Sequence, residues 1–275
     1  MISGRTALFG VLGSPVGHSL SPAMQNAAFA AAGVDAVYVA LPAPPERLAE
    51  AVRGAHALGF QGLNVTVPHK QAAAALCERL APSAAAVGAV NTLVRRGGGW
   101  EGHNTDAPAL RDLLAAAGAS RGARALVLGA GGAARAAAWA LLEIGAAVRV
   151  AARRPEAAEA LCRDLAAGRP AAPEPAPWSR VADEAQRAEV VVNATSAGLG
   201  GADLLPPLPL RGGQVACDLV YGDTAFARAA AAAGARVVTG ERILVRQGAL
   251  AFQLWLGREA PEQVMAAALG RAGER

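Results

Sequence analysis

Arg124-Ala125-Leu126-Val127-Leu128-Gly129-Ala130-Gly131-Gly132-Ala133-Ala134-Arg135 is the stretch on which the fold turns. A short apolar run reads as a strand, and G-x-G-x-x-A then opens an alanine-rich helix reaching about Ile144. In that setting each small residue has a distinct role. Gly129 makes the tight turn, Gly131 admits a pyrophosphate, and Ala134 allows close helix–strand packing. The helix start adds unpaired N–H groups and a positive dipole end. Gly129, Ala130, Gly131, Gly132, Ala133, Ala134 and Arg135 are therefore expected around a dinucleotide. The glycines alone say little in a chain with 32 of them; the flanking strand and helix give them meaning.

The next strand, Ala147 to Ala151, should end in an acid if it met a free ribose 2′-hydroxyl. It ends instead in Ala152-Arg153-Arg154-Pro155. Guanidinium groups suit a 2′-phosphate bidentately, which favours NADP(H) over NAD(H). A proline-rich connection, Gly168 to Pro177, is expected to be mobile. Strands at Glu189 to Asn193, Gln214 to Val220 and Arg236 to Val238, with a helix over Ala225 to Ala233, complete a Rossmann-like unit over residues 107–239.

Working outward, strands Thr6 to Leu12, Ala36 to Leu41 and Gln61 to Val67 alternate with helices ending near Ala32 and spanning Pro45 to Leu58. That alternation implies βαβ units and a mostly parallel sheet. A helix is expected over Gln71 to Leu80, then a strand Ala89 to Val94, a glycine turn and a return strand through Trp100 to Gly102. From Gly240 the tail is helical, with Ile243, Leu244, Gln247, Leu250, Ala251, Leu254 and Trp255 on one face. A second helix, Pro261 to Leu269, follows. Both are expected to pack back on the first domain. The fold class is thus α/β with two domains: a discontinuous substrate-binding and catalytic domain, 1–106 with 240–275, and the dinucleotide-binding domain. A chain of 275 residues accommodates that count.

Composition narrows the function. No charge-free apolar window of membrane-spanning length occurs, and no signal peptide is evident. Cys77, Cys162 and Cys217 are odd in number and far apart, which argues against a disulfide framework or metal site and fits a cytoplasmic setting. The net charge of +4 is carried by dispersed arginines with few aromatics, so a nucleic-acid partner is not expected; a small anionic substrate is.

Lys70 is the only lysine among 26 strong bases. Arginine replaces lysine well on a surface, but not where an amine must pass a proton. Lys70 also follows a strand end, where α/β proteins bind ligands. It is a candidate general acid/base. Upstream, Ser19 and Ser21 stand at the start of a helix whose N–H groups suit a carboxylate. N-capping by itself explains Ser21, which precedes Pro22, but not Ser19. Four of the five asparagines, Asn64, Asn91, Asn104 and Asn193, fall at strand ends. Turn chemistry accounts for Asn104; Asn91 and Asp106 fit better as groups aimed at ligand hydroxyls beside Lys70. Gln247 lies on an apolar helix face and requires either a structural partner or a ligand.

Together these motifs resemble the shikimate dehydrogenase family along almost the whole chain. The matching stretches are Ser19-Leu20-Ser21-Pro22, Asn64 to Lys70, Gly88-Ala89-Val90-Asn91-Thr92 and Gly102 to Asp106. They continue with Gly129 to Arg135, Asn193-Ala194-Thr195-Ser196, Asp218-Leu219-Val220-Tyr221 and Gln247 to Phe252. The resemblance implies NADPH-dependent reduction of 3-dehydroshikimate to shikimate, in aromatic amino acid biosynthesis, by a monomer or homodimer. It implies that Ser19 and Ser21 hold the substrate carboxylate with Tyr221 nearby, and that Thr66, Asn91, Asp106 and Gln247 bind ring hydroxyls. Lys70 and Asp106 would form the catalytic pair. Arg153 and Arg154, with Thr195 and Gly240, would join the glycine turn around the cofactor. Two departures stand out: Ala152-Arg153-Arg154 replaces the family's usual Asn-Arg-Thr, and Leu199 replaces a methionine. A quinate- or aminoshikimate-preferring relative and a non-catalytic NADP sensor are the alternatives.

Overall fold

The computed structural model describes residues 2–167, 169–197 and 205–273. Tight clustering of contacts divides the chain into two units, Met1–Thr105 with Leu244–Arg275, and Asp106–Ile243.

The first unit begins with β1 (Ala7–Gly13), α1 (Ser21–Ala31), β2 (Ala36–Pro42), α2 (Leu48–Ala57) and β3 (Gly62–Val65). Then come β4 (Arg79–Leu80), α3 (Pro82–Val87), β5 (Thr92–Arg96) and β6 (Gly99–His103). The sheet order is β2-β1-β3-β5-β6-β4. β1 pairs in parallel with β2 and β3, while the β5–β6 hairpin runs antiparallel. Alternation along β1 sends Phe9 and Val11 to one core and Leu12 to another, so the sheet is covered on both faces.

One of those covers comes from the end of the chain. After the second unit's last strand, α9 (Gly240–Leu256) and α10 (Glu262–Gly273) follow. Val245, Ala249, Phe252, Met265 and Leu269 pack with Phe9, Met24 and Phe29. The face that carries α9 into the core is therefore Val245, Ala249 and Phe252, at i, i+4 and i+7. Leu250 and Leu254, expected on the buried face, are only partly buried. Trp255 lies over Gly62 and donates its indole N–H to Leu93 O at 3.1 Å. A Cβ at position 62 would collide with that indole.

The second unit holds α4 (Asp106–Ala116), β7 (Arg124–Leu128), α5 (Gly132–Ile144), β8 (Ala147–Ala151), α6 (Pro155–Ala166) and β9 (Glu174–Ala176). It continues with α7 (Val181–Arg187), β10 (Val190–Asn193), β11 (Val215–Asp218), α8 (Ala225–Ala232) and β12 (Arg236–Val238). The order β12-β11-β10-β7-β8-β9 is parallel throughout. The chain moves outward from β7 on one side and resumes at β10 on the other. That reversal is the topological switch point, beside which doubly wound sheets bind ligands.

Three expectations are corrected. Gln71 to Leu80 is not one helix: a 3₁₀ segment, Ala72–Leu76, gives way to β4. The open edge of β6 takes that chain, with Glu78 N donating to Trp100 O at 2.9 Å and Ala81 N to Gly102 O at 2.8 Å. Gly102 permits it, because Cys77 and Leu80 crowd the place where a side chain would stand. The connection before Pro177 contains edge strand β9, where Pro175 is tolerated because an outward-facing edge needs no donor. Finally, α7 lies where the sequence reading placed no element.

Gly62→Ala should destabilise the protein by about 1–3 kcal/mol through forced displacement of Trp255. Gly54→Ala, in α2 with open space around it, should instead stabilise by about 0.5–1 kcal/mol. Urea unfolding of the two variants checks both signs.

Candidate active site

Ser19 and Ser21 follow β1. Leu20, not Ser21, is the residue preceding the first turn of α1, and no side chain caps the helix there. Ser19 lies one residue before that position, and its Oγ accepts the Ser21 N–H at 3.3 Å across a local turn. Ser21 is the first helical residue, buried, and its hydroxyl meets the phenol of Tyr38. Helix capping therefore no longer accounts for Ser21.

Thr66 follows β3 directly. Its amide donates to Leu12 O at 2.8 Å, and its carbonyl accepts the His69 N–H at 2.9 Å. His69 is buried with Nε2 at 2.7 Å from Ala43 O. The loop is fixed again beyond it, where Lys70 O accepts Val90 N–H at 2.7 Å. The half-buried Lys70 is thus delivered by a loop tied at both ends, next to the segment carrying Asn91.

Asn91 is 2% exposed. Its Oδ1 accepts Thr105 N–H at 2.7 Å and the Thr92 and Thr105 hydroxyls at 3.1 and 3.2 Å. Its Nδ2 donates to Thr105 Oγ1 at 3.0 Å and faces Gln247 Oε1 at 3.5 Å. The carboxamide pins the residue immediately before Asp106, and the long contact to Gln247 leaves one Nδ2 hydrogen the most weakly held. Gln247 finds structural partners too, donating to Leu244 O at 2.8 Å. Asp106 itself is a buried first residue of α4.

Sequence reasoning passed over Tyr38, one of two tyrosines and 1% exposed. Its hydroxyl donates to Asn64 Oδ1 at 2.7 Å, while Asn64 Nδ2 donates to Asn91 O and Thr92 Oγ1, both at 3.1 Å. Burial pushes the phenol's titration upward, so it stays a neutral donor. The available signal was the rule that a buried tyrosine hydroxyl needs a partner. A continuous polar chain thus runs from Ser21 through Tyr38, Asn64 and Thr92 to Asn91.

In the second unit, Gly129 has φ +111° and no room for a side chain, since a Cβ would stand 2.7 Å from Ala194 O. Gly131 is the reverse: nothing lies within 4 Å of where its Cβ would be. A tight turn below and open space above is the shape a pyrophosphate requires, with the N-terminus of α5 behind it. Ala130, Gly132, Ala133 and the fully buried Ala134 form the turn and the first turn of α5. Arg135 is 7% exposed, and its guanidinium holds Asp164 of α6 at 2.9 Å.

Arg153 and Arg154 are both exposed between β8 and α6, and no acid is paired with either among the described residues. Thr195 closes its own turn, donating to Asn193 Oδ1 at 2.7 Å and accepting Ala197 N–H at 3.1 Å. Gly240 lies where a Cβ would stand 2.6 Å from Val220 O and 2.7 Å from Tyr221 N. Burial first, then Glu241, raises the Tyr221 hydroxyl's titration, so it remains a neutral donor. Gly198 and Leu199 lie outside the described residues. The turn geometry, the open space over Gly131 and the unpaired arginines fit a phosphorylated dinucleotide. Among the described residues no group of three His, Cys, Asp or Glu is placed to hold a metal ion, and no helix is long and apolar enough to cross a membrane.

Residues 11–93 match the family described as Shikimate dehydrogenase substrate binding domain, and residues 240–269 match Shikimate 5'-dehydrogenase C-terminal domain. The chain is 66% identical over 278 aligned positions to shikimate dehydrogenase (NADP(+)) of Anaeromyxobacter sp. (strain K), covering 100% of each. Among solved structures it is similar to a shikimate dehydrogenase in complex with NADP+, with TM-score 0.91 and 34% identity, covering 99% of this chain and 97% of that one. It is also similar to shikimate 5-dehydrogenase of Thermus thermophilus in complex with NADP(H) and shikimate. There the TM-score is 0.85 and the identity 40%, with 97% and 99% covered. On the strength of that full-length likeness, together with the polar strand-end cluster and the glycine turn, the chain belongs to the shikimate dehydrogenase family.

Proposed function

We propose that this protein is an NADP-dependent shikimate dehydrogenase, interconverting 3-dehydroshikimate and shikimate for aromatic amino acid biosynthesis in the cytoplasm, as a monomer or homodimer. The observation that carries the reading is within one unit. Ser19, Thr66, Lys70, Asn91 and Gln247, scattered along the sequence, come to one end of one sheet through Asn64, Asn91 and the tied loop after β3. Residues 1–106 with 240–275 serve substrate binding and catalysis, and 107–239 serve the dinucleotide.

Gly129 to Ala134 would hold the pyrophosphate with backbone N–H groups, while Arg153 and Arg154 would hold the 2′-phosphate. Arg135, Thr195 and Gly240 would support that site by fixing its walls. When bound, the dinucleotide supplies the hydride. The hydroxyls of Ser19 and Ser21 would hold the substrate carboxylate, with Tyr221 adding a third. Thr66, Asn91 Nδ2, Asp106 and Gln247 would read the ring hydroxyls; buried groups of this kind reject analogues that leave them unpaired. As negative charge grows on the carbonyl oxygen, Lys70 would stabilise it and donate the proton, and the Asp106 carboxylate would orient that ammonium.

Purified protein given shikimate with NADP+ should produce nicotinamide absorbance, with slower turnover on quinate or with NAD+. Absence of turnover with every pair would remove the enzyme reading, and faster turnover of quinate would reassign the substrate. Lys70→Arg should keep the fold and the charge yet lower kcat by roughly 10²–10⁴-fold, the usual contribution of a positioned acid/base. A near-normal rate would remove the proton-transfer role. Arg153→Ala should raise the KM for NADP+ by roughly 10–150-fold and leave that for NAD+ nearly unchanged, as expected for loss of about 1.5–3 kcal/mol in a charged hydrogen bond.

A further inference from the structure

One buried carboxylate takes no part in that chemistry. Asp218, 1% exposed, ends β11. Its Oδ1 accepts Asn193 Nδ2 at 2.9 Å and Val220 N–H at 3.1 Å, and its Oδ2 accepts the Thr224 hydroxyl at 2.5 Å. Thr224 Oγ1 in turn caps α8, taking Ala227 N–H at 3.0 Å. On the far side, Asn193 Oδ1 accepts both Thr195 N–H and the Thr195 hydroxyl, at 3.2 and 2.7 Å.

The two loops joined in this way are the ones against which the candidate cofactor residues are packed. The Gly129 turn rests on Ala194 and Thr195, and Gly240 rests on Val220 and Tyr221. The proton directions are fixed as well. Backbone N–H groups can only donate, so Asn193 must present Oδ1 to Thr195 and Nδ2 to residue 218. Oδ1 of residue 218 must therefore accept from both Asn193 and Val220, while its other terminal atom serves only Thr224 and the cap.

We propose that Asp218 is a positioning residue for the dinucleotide, acting through Asn193 to hold the loop after β10 against the glycine turn and through Val220 to hold the loop after β11 against Gly240. The two terminal atoms divide the work: Oδ1 locks the loops, and Oδ2 secures α8. This rests on reading 107–239 as the NADP-binding unit; a wild-type protein that fails to bind NADPH would refute that reading and this proposal with it.

The division is testable by NADPH binding, followed by fluorescence titration, alongside melting temperature. Asp218→Asn keeps an acceptor at Oδ1 but turns an amide toward Thr224, so it should lower the melting temperature while holding the NADPH Kd within about threefold of wild type. Thr224→Val should do the same. Asp218→Ala and Asn193→Ala each cut the loop lock and should raise the NADPH Kd by roughly tenfold or more, the equivalent of one buried hydrogen bond. The KM for shikimate should remain within about twofold in Asp218→Asn, Thr224→Val and Asn193→Ala, in which the Val220 N–H keeps its acceptor; Asp218→Ala also frees the loop that carries Tyr221 and is read by NADPH binding alone. If Asp218→Ala does not fold, Asn193→Ala still decides. Unchanged NADPH affinity in Asn193→Ala, or affinity that simply follows melting temperature across the series, would overturn the proposal.

Discussion

The hydrogen bond from Thr105 N–H to Asn91 Oδ1 is the contact on which the candidate catalytic geometry depends. Strands that end at a ligand site leave backbone groups without ladder partners, and burial makes each unpaired group costly, by about 1–3 kcal/mol. Here side-chain amides complete the ladder. Asn91 closes the turn before Asp106, Asn64 takes the carbonyl of Asn91, and Asn104 takes that of Ala89. The same solution recurs in the second unit, where Asn193 and Asp218 join two strand-end loops. A carboxamide suits this role because it accepts from one loop and donates to the next.

Close backbone approach is the second constraint. Gly62 yields its side-chain space to Trp255, and Gly248 yields its own to Met24. These contacts seat α9 on the sheet and bring Gln247 within reach of Asn91. A residue separated from Asn91 by most of the chain thereby joins its polar cluster. Rigid packing beneath the cluster matters because oriented catalytic groups lose effect with small displacements.

Much of this was legible beforehand. Gly129 announced the turn, since at φ +111° few other residues tolerate that geometry, and the missing acid after β8 bore on the ribose through its chemistry. Lys70 stood out because a lone lysine among arginines has few explanations. Tyr38 and α7 were missed because nothing local marks them: one lies in an ordinary apolar strand, the other in a polar run without an evident apolar face. Capping does not account for Ser21 as expected, because the capping rule knows residue types but not where the helix begins.

The sequence by itself determined the α/β class and the residue types able to carry the chemistry, because these depend on local backbone tolerance and periodicity, and its short ordered motifs carried the family resemblance. Tertiary structure alone decided which polar atoms remain open to a ligand. It directed the Asn91 Oδ1 to Thr105, Arg135 to Asp164 and the Tyr38 hydroxyl to Asn64. Each of those choices is a competition among hydrogen-bond partners far apart in the chain. A buried polar atom takes the partner the fold places within reach, which no local pattern specifies.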